Sequence, residues 1–124
     1  MQILKSSFYI SNIILFIFYL FPGSILGCIT LNDCDTQPQL TKNFFMVSSN
    51  HLYVFLALST LGIIAFNKKL RKVLIYLIFI SIILELAHIF IPKRDFDIPD
   101  LFGNILGVLL SLLLIKIFYF RRIK

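Results

Sequence analysis

Four long apolar runs divide the chain, at roughly residues 10–26, 52–66, 73–91 and 101–120, and polar residues gather in the short stretches between them. The hydrocarbon core of a bilayer is about 30 Å thick and takes about 20 helical residues, so each run reads as a membrane-crossing helix. Neither strand-like alternation, an internal repeat nor a low-complexity linker interrupts the pattern. The expected fold is all-α and polytopic: a compact bundle of four transmembrane helices occupying residues 1–124 as one domain.

Punctuation along the chain supports these limits. Phe21-Pro22-Gly23 favours leaving the first helix, and Asn67-Lys68-Lys69-Leu70-Arg71-Lys72 makes a short turn that sets the second and third helices antiparallel. Pro92 closes the third run. Pro99 suits the first turn of the fourth, where Asp100 faces the positive end of the helix dipole. The first run has a second reading, a lipoprotein signal ending at Ile25-Leu26-Gly27-Cys28 with Cys28 lipidated.

Composition agrees with the membrane class, since 59% of residues are hydrophobic and only 15% are charged, with mean hydropathy +0.93. A net charge of +6 would suggest nucleic acid or an anionic surface if it were clustered on a soluble face. Its distribution points to topology instead. Lys5, Lys68, Lys69, Arg71, Lys72, Lys116, Arg121, Arg122 and Lys124 fall at one set of segment ends, and only Lys42, Lys93 and Arg94 at the other. By the positive-inside rule the first set is cytoplasmic, and with it both termini. Nucleic acid is not an expected partner; the lipid bilayer is, and self-association into a homo-oligomer stays open.

Cys28 and Cys34 lie in the first outer loop, about residues 27–50. On an oxidising face the two can close a small disulfide ring, or they can stand as separate thiols. A structural zinc site is not expected, because no second cysteine pair accompanies them and no histidine lies between them.

The chemistry concentrates in Glu85 to Asn104, where four of the six acidic residues and one of the two histidines stand between apolar runs. A carboxylate at the depth of Glu85, about 10 Å from the Pro92 end of its helix at 1.5 Å per residue, is costly and faces a partner or a wet cavity. His88 follows three positions later on the same face. Asp100, Asn104 and Gly107 form one stripe on the last helix, and Gly103 and Gly107 would let the third and fourth runs approach closely. Arg94 offers a planar fork for phosphate or carboxylate, or pairs with Asp95 or Asp97 in its own loop.

Glu85, His88 and Asp100 are accordingly the candidate catalytic groups. His51, Arg94, Asp97 and Asn104 are the candidate substrate contacts. Asp97, Asp100 and Asn104 can orient the other groups or hold a divalent cation through oxygen, but the sequence assigns no metal site and no cofactor.

The order His51-x-x-x-Phe55-x-x-Leu58, then Glu85-x-x-His88-x-Phe90-x-Pro92-x-Arg94, Asp97, Asp100 and Asn104-x-x-Gly107, resembles the VanZ-like family of small bacterial membrane proteins. Two departures stand out. The family commonly has glutamine at the position of His88, and an Asp-Lys pair where this chain has Ser48, Ser49 and Asn50. The resemblance implies a multi-pass protein of the bacterial cytoplasmic membrane, linked to the cell envelope and to resistance against the glycopeptide teicoplanin. The expected function is binding or processing of a lipid-linked or cell-wall component at an outward-facing polar site. Alternatives are a non-catalytic protein that binds a partner helix, and a proton or ion path in an oligomer. Whether the chain is an enzyme is left open, because no serine, threonine or cysteine has a nucleophile's context.

Overall fold

The computed structural model describes the backbone of residues 1–121 and the side chains of residues 1–118. Arg122 and Lys124, together with the side chain of Arg121, belong to the expected cytoplasmic cluster but lie outside the described residues. Five α-helices follow one another: α1 (Gln2–Leu20), α2 (Ile25–Leu31), α3 (Ser49–Ala65), α4 (Leu70–Ala87) and α5 (Ile98–Arg121). Short 3-10 turns, Asn67–Lys69 and His88–Phe90, bracket α4. Among the described residues there is no β-strand.

The first helix departs from the expected limits of 10–26. It starts at Gln2, because helical order extends through the polar residues before the apolar run, and it stops at Leu20. Phe21 precedes a proline and is extended (φ −69°, ψ 133°), as a residue in that position prefers. Gly23 then takes φ 98°, a conformation open to glycine. Residues 25–31 form a separate short helix, with Ser24 Oγ accepting from the Gly27 N–H at its start. Cys28, on that helix, is joined to Cys34 by a disulfide, which takes up the sulfur that lipidation would require.

Three helical stretches are long and apolar enough to cross a membrane: Gln2–Leu20, Asn67–Phe90 and Ile98–Phe118. α3 is apolar too, but shorter, at 17 residues, or about 26 Å at 1.5 Å per residue. It is the central helix, packed against α5 most extensively and against α1 and α4. Phe8, Leu15, Phe55, Leu58, Ile63, Leu77, Leu84 and Val108 fill the core, while Ile13, Ile17, Phe79, Ile83 and Leu113 point outward. That apolar exterior is suited to lipid.

Polar ties between helices compensate for the weak hydrophobic drive inside a bilayer. Tyr76 Oη donates to Asn12 Oδ1 at 2.6 Å, joining α4 to α1, and Thr60 and Ser111 share a hydroxyl bond of 2.9 Å between α3 and α5. Gly103 and Gly107 act differently from expectation. A Cβ on Gly103 would stand 2.7 Å from the Ser48 carbonyl, and one on Gly107 2.7 Å from the Leu52 carbonyl and 2.8 Å from the Leu56 nitrogen. They therefore seat α5 on α3 rather than on α4.

The long outer loop is held down at both ends. Asn50 accepts from the Leu40 N–H at 3.0 Å and donates to the Pro38 carbonyl at 2.8 Å. Ser49 Oγ donates to the Thr41 carbonyl at 2.7 Å, so residues 37–41 fold back over the start of α3. Lys93 Nζ meets Asp35 Oδ1 at 2.7 Å, and that carboxylate raises the lysine above its ordinary pKa. Both side chains are largely exposed, so this pair orients the loop more than it stabilises it.

Candidate functional site

The C-terminal end of α1 has carbonyls without helical donors. Pro22 has no N–H to return to Phe18, and the Phe18 carbonyl instead accepts from Arg94 Nη2 at 2.9 Å. Arg94 Nε donates to the Phe21 carbonyl at 3.3 Å. His88 Nε2 donates to the Tyr19 carbonyl at 3.0 Å. A proline-induced helix end thus binds the connection between α4 and α5.

The Tyr19 carbonyl also fixes a proton on His88, because a carbonyl can only accept. His88 Nδ1 then faces Glu85 Oε1 at 3.3 Å, so another proton has to lie between them, on the carboxyl or on the ring. Oε1 accepts in addition from the Asp97 backbone N–H at 3.1 Å. Glu85 is fully buried, yet its second oxygen, Oε2, has no hydrogen-bond partner. It stands 3.7 Å from His51 Nδ1, an atom that is also buried and unpartnered. His51 Nε2 lies 3.6 Å from Asp100 Oδ2. Asp100, His51, Glu85 and His88 form a continuous row running from the partly exposed first turn of α5 into the closed interior.

Behind this row, Tyr19 Oη donates to Asn104 Oδ1 at 2.8 Å, and Asn104 Nδ2 donates to the Ser81 carbonyl at 3.1 Å. Both side chains are buried. α1, α4 and α5 are tied together at the depth of the ionisable row. The Tyr19 ring lies 5.1 Å from that of His51 and 5.7 Å from that of His88, centroid to centroid, and so packs against both imidazoles.

A cavity of about 590 Å³ opens between α1, α2, the folded-back loop and α3. Ile14, Leu15, Val54, Leu58 and Leu61 line its length, and His51 and Arg94 also border it. His51 is therefore common to the cavity and the ionisable row.

The seven residues singled out from the sequence occupy different positions in this arrangement. Glu85, His88, His51 and Asp100 are brought together. Arg94 is near them, but two of its N–H groups serve the α1 carbonyls rather than Asp95 or Asp97. Asp97 contributes its backbone N–H, while the residue itself is exposed. Both ends of the Asn104 amide are occupied by Tyr19 and Ser81, which makes it a brace for the site. Tyr19 and Ser81 were not picked out by sequence reasoning. The signal for Tyr19 was its place just before Pro22, where a carbonyl loses its helical donor and a phenol needs a partner when buried. Ser81 acts through its carbonyl, for which the side chain carries no signal.

An all-helical chain with three membrane-length apolar stretches and a buried row of ionisable groups at one end of the bundle is an integral membrane protein. The family model described as VanZ/LLP1 matches residues 3–119, and the chain belongs to that family. No curated protein matches it, and no solved structure does.

Proposed function

We propose that this protein spans the bacterial cytoplasmic membrane four times, with both termini in the cytoplasm, and binds a lipid-linked envelope component from the outer side. The observation that carries the reading is the cavity between α1 and α3, whose apolar walls lead to His51 and Arg94. A lipid chain matches the walls, and a phosphate-bearing head group matches the polar end. Arg94 uses two of its five donors on carbonyls, and the others remain for an anion. Asp100, His51, Glu85 and His88 stand alongside to exchange protons with the head group where binding is followed by processing.

Two features support the orientation. The basic turn of residues 67–72 is placed with Lys5, whose Nζ lies 5.6 Å from the Phe66 ring centroid, at the opposite end of the bundle from the ionisable row. The Cys28–Cys34 disulfide belongs to the row's end and suits an oxidising face. α3, though short, is packed on α5, α1 and α4 and keeps an apolar exposed side at Val54, Ala57 and Ile64, and on this reading it is the fourth span. The envelope role extends to glycopeptide susceptibility: cells expressing the protein are expected to tolerate more teicoplanin.

Ala57 lines the cavity from the exposed side of α3, so Ala57→Trp fills it without entering the core. The purified variant is expected to keep the wild-type melting temperature and to lose at least ten-fold in affinity for a polyprenyl-phosphate lipid. The teicoplanin tolerance should disappear with it. Unchanged lipid affinity in a folded Ala57→Trp protein would contradict the reading.

A further inference from the structure

The geometry points to a divalent transition-metal site formed by His51, Glu85 and Asp100, taking zinc or manganese. One ring nitrogen of His51 and one oxygen from each carboxylate lie within 4.8 Å of one another. These three come from three helices, α3, α4 and α5. The unpartnered atoms are a separate indication. Glu85 is wholly buried, and Oε1 already takes the Asp97 N–H and faces His88, whereas Oε2 has no donor and is directed at the equally unpartnered His51 Nδ1.

A buried carboxylate oxygen without a donor is expensive. At 3.7 Å the His51 nitrogen is too far to relieve it by a hydrogen bond. A cation between them satisfies both. His88 and the Asp97 N–H then act as outer partners that fix the orientation of Glu85 through Oε1 and leave Oε2 as a single ligating atom.

From a separation of up to 4.8 Å, the widest pair has to close by about 1.4 Å to reach the ~3.4 Å edge of a tetrahedron with ligands at ~2.1 Å. Asp100 is partly exposed on the first turn of α5 and can make that rotation without disturbing the core. One imidazole with two carboxylates favours zinc or manganese over magnesium or calcium, which prefer all-oxygen sets. Three protein ligands leave a position open for a further ligand, as in sites that bind or activate substrate.

Competing sites are few, since the chain has two histidines and both cysteines are in the disulfide. This inference does not depend on the lipid reading, because ion binding is measured without lipid. Tag-free protein in detergent, stripped with chelator, is titrated with Zn²⁺, Mn²⁺ and Mg²⁺ by calorimetry and by thermal unfolding. The expected result is one Zn²⁺ or Mn²⁺ per chain, a higher melting temperature, and Mg²⁺ at least ten-fold weaker.

Asp100→Asn, a near-isosteric change at a partly exposed position, should weaken binding at least ten-fold while the stripped protein melts normally. Glu85→Gln should weaken binding at least ten-fold as well, its amide oxygen keeping the Asp97 N–H and its NH₂ replacing the ligating oxygen, with a lower melting temperature of the stripped protein because that oxygen brings no proton to His88 Nδ1. Asp95→Asn, in the exposed connection, should leave binding unchanged. Absence of binding at millimolar ion, equal affinity for Mg²⁺, or binding indifferent to both Asp100→Asn and Glu85→Gln would each overturn the site.

Discussion

Tyr19 has three duties at once: its carbonyl sets the proton on His88, its hydroxyl occupies Asn104, and its ring flanks His51 and His88. Only the second is removed by Tyr19→Phe. The substitution leaves Asn104 Oδ1 buried without a donor, a penalty of about 1–3 kcal/mol. Thermal unfolding in detergent should show a clear fall in melting temperature, with the helical circular-dichroism signal retained below it. An unchanged melting temperature would mean that the Asn104 amide finds another donor, and that the Tyr19 hydroxyl is not what holds the Asn104 brace. Asn104→Leu, which removes the acceptor as well, should be less harmful in the Tyr19→Phe background than alone, because the two changes share one hydrogen bond.

Among the elements, the seat of α5 on α3 determines where Asp100 meets His51. Gly103 faces the backbone of Ser48 and Leu52 and the Cβ of His51, and backbone cannot yield as a flexible side chain does. Gly107→Ala should lower stability by about 1–3 kcal/mol through overpacking. Gly103→Ala should additionally push the first turn of α5 away from His51. The two substitutions are therefore separable: both lower the melting temperature, but Gly103→Ala costs more affinity for Zn²⁺. Equal loss of ion binding in both would argue against a local effect at Asp100.

This contact was only half legible in the sequence. A Gly-x-x-x-Gly spacing announces a close helix neighbour, but not which one, and the ionisable residues on the run 73–91 made that run the natural partner. The approach to α3 arises from tertiary packing. The pairing of Glu85 with His88 was legible because a three-residue spacing on one helix is local. The capping of α1 by Arg94 was not, since it joins residues more than seventy positions apart and works through backbone carbonyls. The early stop of α1 was signalled by Pro22, and the short helix beyond it was hidden within an apolar run that continues past the proline.

For the whole molecule, the proposed topology has the basic turn and both termini on the cytoplasmic face and the disulfide, the cavity mouth and the ionisable row on the outer one. A C-terminal green fluorescent protein fusion should be bright and a C-terminal alkaline phosphatase fusion inactive; the reverse would invert the topology. Cys28 and Cys34 in intact cells should resist a membrane-impermeant maleimide until a reductant is added. Labelling without reductant would show free thiols on the outer face. The α1–α3 cavity is proposed to hold the hydrophobic chain of an envelope lipid, and a photocrosslinking side chain at Val54, on the cavity wall, tests that occupancy in place. Irradiated in living cells and analysed by mass spectrometry, position 54 should capture a polyprenyl-phosphate-linked lipid that the same probe at outward-facing Ile83 on α4 does not; capture of the same bulk phospholipids at both positions would show that the cavity is no lipid-binding site.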